Sequence, residues 1–258
     1  MVKVGCDPEL FVRSLVTKEP VSIIGKLGGT KDETLFISEK GHGVLEDNVT
    51  AEFNIPPALD SDAFVQDINH CIAYIAERAN SFGCEVFDAA SVIMPDSELE
   101  NPMAWVFGCE PDYNAYTGEQ NPRPNADNPA LRSAGGHVHI GFKAFPTMEE
   151  SAHVVRVMDI FLGLPSLFID KDTLRRKLYG KAGASRWKEY GVEYRTLSNF
   201  WIFSDSLKRW VFDCTQAAVE WSKNNQTNTT GVFKKVQATI NSGNLSEAEK
   251  LIKYFGLS

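Results

Sequence analysis

The sequence predicts an α+β fold built on a largely antiparallel sheet. Three observations predict it. Short runs of strand-like alternation recur along the chain, at 1–5, 49–54, 136–141 and 192–197. Helical patterns separate them without the regular strand–helix rhythm of a doubly wound sheet. The composition is that of a globular chain: 258 residues, 43% hydrophobic and 23% charged, enough to bury a sizeable core.

Residues 1–56 read as strands and turns, with turn signals at Gly28-Gly29-Thr30 and Gly41-His42-Gly43. From Asp60 to Phe82 the period becomes helical, with Phe64, Ile68, Cys71, Ile72, Ile75 and Ala79 on one stripe and Gly83 placed to stop it. Residues 85–94 look like one strand, and 111–129, rich in Asn, Pro, Asp and Gly, like a long loop. Thr147-Met148-Glu149-Glu150 is a capping box opening a helix that runs towards Pro165. A helix is expected from Asp205 to Lys223, a linker over 224–230, and a terminal helix behind a second capping box at Ser246–Glu249. The organisation expected is one domain over 1–223 with a helical extension, 224–258, packed on it.

The net charge of −8 argues against a broad nucleic-acid-binding surface. No signal-peptide pattern and no apolar stretch long enough to span a bilayer are read, so the expected compartment is cytoplasmic. Five cysteines, with no C-x-x-C, are expected to be reduced thiols. There is no Walker A motif, no G-x-S-x-G, and no glycine-rich turn leading into a convincing helix. The run from Ile24 to Lys31 is glycine- and lysine-rich but reads as a hairpin turn.

The chemistry concentrates in residues spaced two apart, which share a face on a strand. His137 and His139 stand between glycines that leave room for close approach to the backbone. Asp7 pairs with Glu9 around Pro8, Glu52 with Asn54, and Glu193 with Arg195. Each alone is equally a solvated face or a structural ion pair. Together, several carboxylates on one sheet would repel by about 4 kcal/mol per pair at 4 Å and an effective dielectric near 20, so they need cations or protons. Carboxylates with one or two histidines suit Mg²⁺ or Mn²⁺; two histidines with one acid would suit zinc. Arg175, Arg176, Arg186 and Arg195 follow in a short interval, and guanidinium groups are planar partners for phosphate. Gly5–Glu9 is echoed at Gly108–Asp112.

These residues, in this order, resemble the glutamine synthetase-like carboxylate–amine ligases, closest to the phage-encoded COOH–NH2 ligase type 2 family. The resemblance runs from Gly5 to about Trp201 through Gly5-x-Asp7-Pro8-Glu9, Glu52-x-Asn54, Gly136-His137-x-His139-x-Gly141, Arg176-x-x-Tyr179-Gly180 and Glu193-x-Arg195. It implies a curved, mainly antiparallel catalytic sheet, helices on its outer face, ATP, and two or three Mg²⁺ or Mn²⁺ ions. It implies Asp7, Glu9, Glu52, His137 and Glu193 as metal ligands, with Asp7 and Glu9 on different ions. It implies His139, Arg175, Lys31 and Asn54 at the nucleotide, and Arg195, Arg186 and Arg176 at the phosphate or acyl intermediate. Glu110, Asp112, Asn114 and Arg132 are assigned to the substrates, a carboxylate donor and an amine acceptor. The family's first acid is usually glutamate, where this chain has Asp7. Two other readings stand beside the ligase: a metal-dependent hydrolase using the histidines and acids, and a non-catalytic nucleotide-binding protein. Oligomeric state is not read from the sequence.

Overall fold

A computed structural model describes residues 2–105, 111–122, 127–225 and 230–257. Its strands, in chain order, are β1 Lys3–Cys6, β2 Glu9–Ser14, β3 Pro20–Val21, β4 Leu35–Phe36, β5 Gly43–Asp47, β6 Thr50–Asn54, β7 Cys84–Phe87, β8 Ser91–Ile93, β9 Tyr113–Asn114, β10 Leu131–Ser133, β11 Val138–Gly141, β12 Ala184–Lys188 and β13 Gly191–Tyr194. Every strand pairing is antiparallel. With the helices below, this is the α+β class the sequence predicts.

One sheet runs β1-β11-β13-β12-β9 and a second runs β3-β2-β6-β5-β4, with β7 also on β2. The strand 3–14 joins them. On one side Asp7 N–H donates to the His137 carbonyl (3.4 Å) and Glu9 N–H to the Gly135 carbonyl (2.9 Å). On the other, Phe53 and Ile55 N–H donate to the carbonyls of Pro8 (3.3 Å) and Cys6 (3.4 Å). The ladder therefore continues across Pro8, and β1–β2 lies between β11 and β6. Residues 85–94, read as one strand, are two: β7 pairs with β2, and β8 leaves to pair with β10.

Helix α1, Ser61–Ser81, is capped by the Asp60 side chain on Ala63 N–H and buries Phe64, Ile68, Cys71 and Ile75. It packs on β5, β6 and β7. Helix α2, Met148–Met158, opens on the full Thr147–Glu150 capping box and packs on β12 and β13. It does not stop at Pro165. A π-helical turn, Asp159–Gly163, leads directly into α3, Leu164–Ile169, and Pro165 sits in α3's first turn, where a missing N–H costs nothing. The combined run Met148–Ile169 is apolar and long enough by composition to cross a bilayer, contrary to the sequence reading; it lies mostly buried in the core. Helix α4 spans Thr173–Leu178, and α5, Asp205–Asn224, covers α1 and α2.

Helices α6, Thr230–Ser242, and α7, Leu245–Tyr254, pack on the π turn and α3. The cap of α7 is Asn244, accepting from Glu247 N–H, rather than Ser246; Asn's carbonyl serves the role two positions earlier. Residues 226–229 of the expected linker lie outside the described residues. Cys6, Cys71, Cys84 and Cys214 are unpaired thiols; Cys109 lies outside the described residues.

Candidate active site on the joined sheet

Register sets which side chains meet. Gly5, His139, Glu193 and Arg186 form one cross-strand row over β1, β11, β13 and β12. Val138, Ile140, Val192 and Tyr194 alternate with them and are fully buried beneath the helices. The polar row thus belongs to the face opposite α2. On the second sheet Glu9 lies directly opposite Glu52, and Asp47 faces Thr50 one row on.

The result is two neighbouring acidic clusters. Asp7, His137 and Glu193 place one ligand atom each within 4.8 Å of one another, and Glu9, Asp47 and Glu52 do the same. Asp7 and Glu9 share a face, but they lean to opposite sides of their strand. Asp7 Oδ1 lies 3.0 Å from His139 Nε2 and 3.5 Å from His137 Nδ1. Glu9 Oε2 accepts from Gly135 N–H (2.7 Å), and Asn199, fully buried, holds the Glu9 carbonyl at 2.9 Å.

The first cluster is rich in cations. Glu193, fully buried, pairs with Arg195, with Arg186 (3.4 Å) and with Lys188 (3.1 Å). Burial and Asp7 push the Glu193 carboxyl up, but Arg195 and the two histidines outweigh them and hold it at about 2. Burial likewise opposes ionisation of Asp7, and His139 and His137 overcome it, so Asp7 stays low. Burial and Arg195 drive the His137 imidazole down to about 4, leaving it neutral with a lone pair to offer. For His139, burial is outweighed by Asp7 and the pKa rises. Its Nδ1 meets the Tyr190 hydroxyl.

The second cluster has less compensation. Burial, then Asp47, raises Glu9 to about 7; burial, then Asp7 and Asp47, raises Glu52 well above its usual range. Three carboxylates within 4.8 Å repel by about 3–4 kcal/mol per ionised pair at an effective dielectric near 20. Lys31, 2.7 Å from Asp47, offsets part of this.

Both clusters fit hard divalent cations. Asp7 Oδ1, His139 Nε2 and Glu193 Oε2 are buried and make no hydrogen bond among the described residues. The donors are carboxylate oxygens with one or two imidazole nitrogens, the set of Mg²⁺ or Mn²⁺.

The remaining assigned residues divide. Asn54 shares the face of Glu52 and lies opposite Gly43, where the Thr34 methyl fills the space a side chain would take. Asp112 reaches Arg195 Nε at 3.5 Å. Arg175 lies behind Arg195, donating to the carbonyls of Thr196 (3.3 Å) and Arg195 (3.5 Å), and burial lowers it to about 10. Arg176 instead binds Ser166 (3.3 Å) and Asp170 (3.4 Å). Asn114 turns its oxygen onto Tyr116 N–H (2.9 Å). Arg132 clamps the carbonyls of Ala104, Pro129 and Leu131 and the Asn48 side chain; none of these belongs to either acidic cluster. Glu110, and with it most of the Gly108–Asp112 echo, lies outside the described residues.

One expectation about backbone access changes. Gly135 and Gly136 do not leave room for a ligand: a methyl on Gly135 would strike the His137 ring, and one on Gly136 the Ser198 carbonyl and Trp201. They are packing glycines. The 24–31 turn spends its amides on Glu46, which accepts from Gly25 (2.7 Å), Leu27 (2.8 Å) and Gly28 (3.2 Å). The 111–129 segment is not a bare loop, since β9 pairs with β12 and Tyr116 donates to buried Asp159 at 2.9 Å.

Sequence reasoning missed Asp47 and Lys188. The signal for Asp47 was the turn: Asn48 is left-handed (φ 54°), a position Asn favours, and closing β5 on β6 there brings Asp47 beside Glu52. Lys188 follows from Arg186 by the spacing-two rule.

The site is therefore of a definite class: two neighbouring carboxylate clusters beside guanidinium and ammonium groups on one joined antiparallel sheet. Residues 130–253 match the family described as Phage phiEco32-like COOH.NH2 ligase-type 2, the one the motifs resemble. The matched stretch carries His137, His139, Arg186, Glu193 and Arg195; Asp7, Glu9, Asp47 and Glu52 precede it and are brought to it by the fold. No curated protein matches the chain.

Proposed function

We propose that this protein is an ATP- and Mg²⁺- or Mn²⁺-dependent carboxylate–amine ligase that joins its substrates through an acyl phosphate. The observation that carries the reading is the first cluster, where one buried carboxylate, Glu193, is ringed by Arg186, Lys188 and Arg195 and adjoins Asp7 and His137. Such a site takes up cations and polyanions together. The family match supplies the ligase class.

Divalent ions bound by Asp7, His137 and Glu193, and by Glu9, Asp47 and Glu52, would screen the ATP phosphates and align the terminal one. Arg195 and Arg186 sit where charge develops on the transferred phosphoryl group and stabilise it without reorganising. The donor carboxylate attacks the γ-phosphorus, the bond to the β-phosphate oxygen breaks, and ADP leaves. The amine then attacks the acyl carbon, loses a proton, and expels phosphate, giving an amide. His139 and Asn54 face the nucleotide in this reading, and Asp112, beside Arg195, faces the incoming amine.

The test is ADP release by the full chain with Mn²⁺, screened against pools of carboxylates and amines. Release requiring both partners, with stoichiometric phosphate, is expected. Metal-dependent hydrolysis without nucleotide binding would refute the reading.

A further inference from the structure

We propose that Lys188 is a binding residue for the terminal phosphate of the nucleotide; this rests on the ATP-dependent reading above. The argument begins with register. One row on from His139 and Glu193, the sheet presents Lys3, Gly141, Gly191 and Lys188 side by side on β1, β11, β13 and β12. The two central positions have no side chain. A methyl added at Gly141 would meet nothing closer than Lys3 Cβ at 3.4 Å. The row thus has a lysine at each end and two glycines between them, Gly141 partly exposed and Gly191 buried beside Phe142.

Gly191 is there for its backbone. Its φ is 152°, and a side chain would collide with the Ile140 carbonyl. Glycine at this hairpin position lets β13 lie close on β11.

Lys188 reaches from this row to Glu193 Oε2, 3.1 Å away, an atom that is buried and makes no hydrogen bond among the described residues. Glu193 Oε1 already meets Arg186 and Arg195. Once a divalent ion takes Glu193, three neighbouring monovalent cations are in excess. The two guanidinium groups are held, Arg195 by His137 and Glu193, and Arg186 in the row of Glu193. Lysine has a flexible four-carbon stem and a compact charge. Its ammonium can leave the carboxylate and meet an anion that shares the ion. The anion nearest Glu193 and Arg195 in the proposed reaction is the phosphate to be transferred.

The test is nucleotide binding by the full chain with saturating Mn²⁺, measured by calorimetry for a nonhydrolysable ATP analogue and for ADP. Lys188→Met is expected to weaken the ATP analogue by about tenfold or more while changing ADP by less than about threefold, the loss of one charge-assisted contact to a phosphate that only ATP has. Lys188→Arg is expected to restore part of the difference. Thermal melts without ligand confirm that both variants fold. Equal weakening of both nucleotides, or no weakening of the ATP analogue, overturns the assignment while leaving the ligase reading in place. Wild-type protein that binds neither nucleotide overturns both.

Discussion

Replacing Glu9 with glutamine should make the metal-free protein more stable and metal binding worse. Glu9 has an ordinary value of 4.5, raised to about 7 by burial and then by Asp47. Below 4.5 the carboxyl is protonated in folded and unfolded chains alike. Between 4.5 and 7 the unfolded chain releases the proton and the folded chain keeps it, so stability falls as pH rises through that window. The shift of about 2.5 units corresponds to about 3 kcal/mol, fully lost above pH 7. The glutamine side chain stays neutral, keeps an oxygen for Gly135 N–H, and adds an N–H for Asp47 or Glu52. Asp159, also raised to about 7 by burial, titrates in both proteins and cancels in the comparison. Metal-free Glu9→Gln should therefore match wild type at pH 4 and exceed it by up to about 3 kcal/mol at pH 8, about 6–12 °C in Tm for a chain of this size. Mn²⁺ at a hundred times its Kd should add about 2.7 kcal/mol to wild type and little to the variant. Urea unfolding at both pH values, with and without Mn²⁺, reads all of this. A variant less stable than wild type at pH 8, or one keeping the full Mn²⁺ gain, would refute the reasoning.

Two further outcomes are expected. Glu193→Gln strips the buried partner from Arg186, Lys188 and Arg195; it should lower unfolding stability by about 3–5 kcal/mol and remove one Mn²⁺ site by electron paramagnetic titration, and an unchanged ion count would take Glu193 out of the metal site. Gly136→Ala should cost about 1–3 kcal/mol by overpacking against Ser198 and Trp201, whereas Gly141→Ala, whose methyl would make only ordinary contacts with Lys3 and Tyr190, should melt within a few degrees of wild type; similar losses at both positions would contradict the division between clashing and tolerant glycines.

Much of the site was readable because spacing two on a strand survives folding. Asp7, Glu52, His137, His139, Glu193 and Arg195 each needed only their own strand to be placed on a face. What was hidden depended on which strands became neighbours. Asp47 enters through the β5–β6 register, and Lys188 through that of β12 and β13. Arg176 was assigned to the phosphate or acyl intermediate and Arg132 to the substrates, but Asp170 and a set of carbonyls claimed them first. The extent of the 148–169 helix was masked by Pro165, which signals a stop only when the preceding turn is α-helical; the π turn removes the conflict.

The placing of β1–β2 between β6 and β11 has a consequence for how the protein is made. The strand bearing Asp7 and Glu9 is synthesised well before its partners: one of its edges waits for residues 135–141, and the row is complete only when 184–195 have followed. Until then that edge offers unpaired amides and carbonyls to any strand nearby. Contacts so distant in sequence also form slowly, because the loop must close before they repay it. Both acidic clusters hang on this strand, but they are completed at different times: Glu9, Asp47 and Glu52 come together within residues 9–54, whereas Asp7 meets His137 and Glu193 only when the sheet closes.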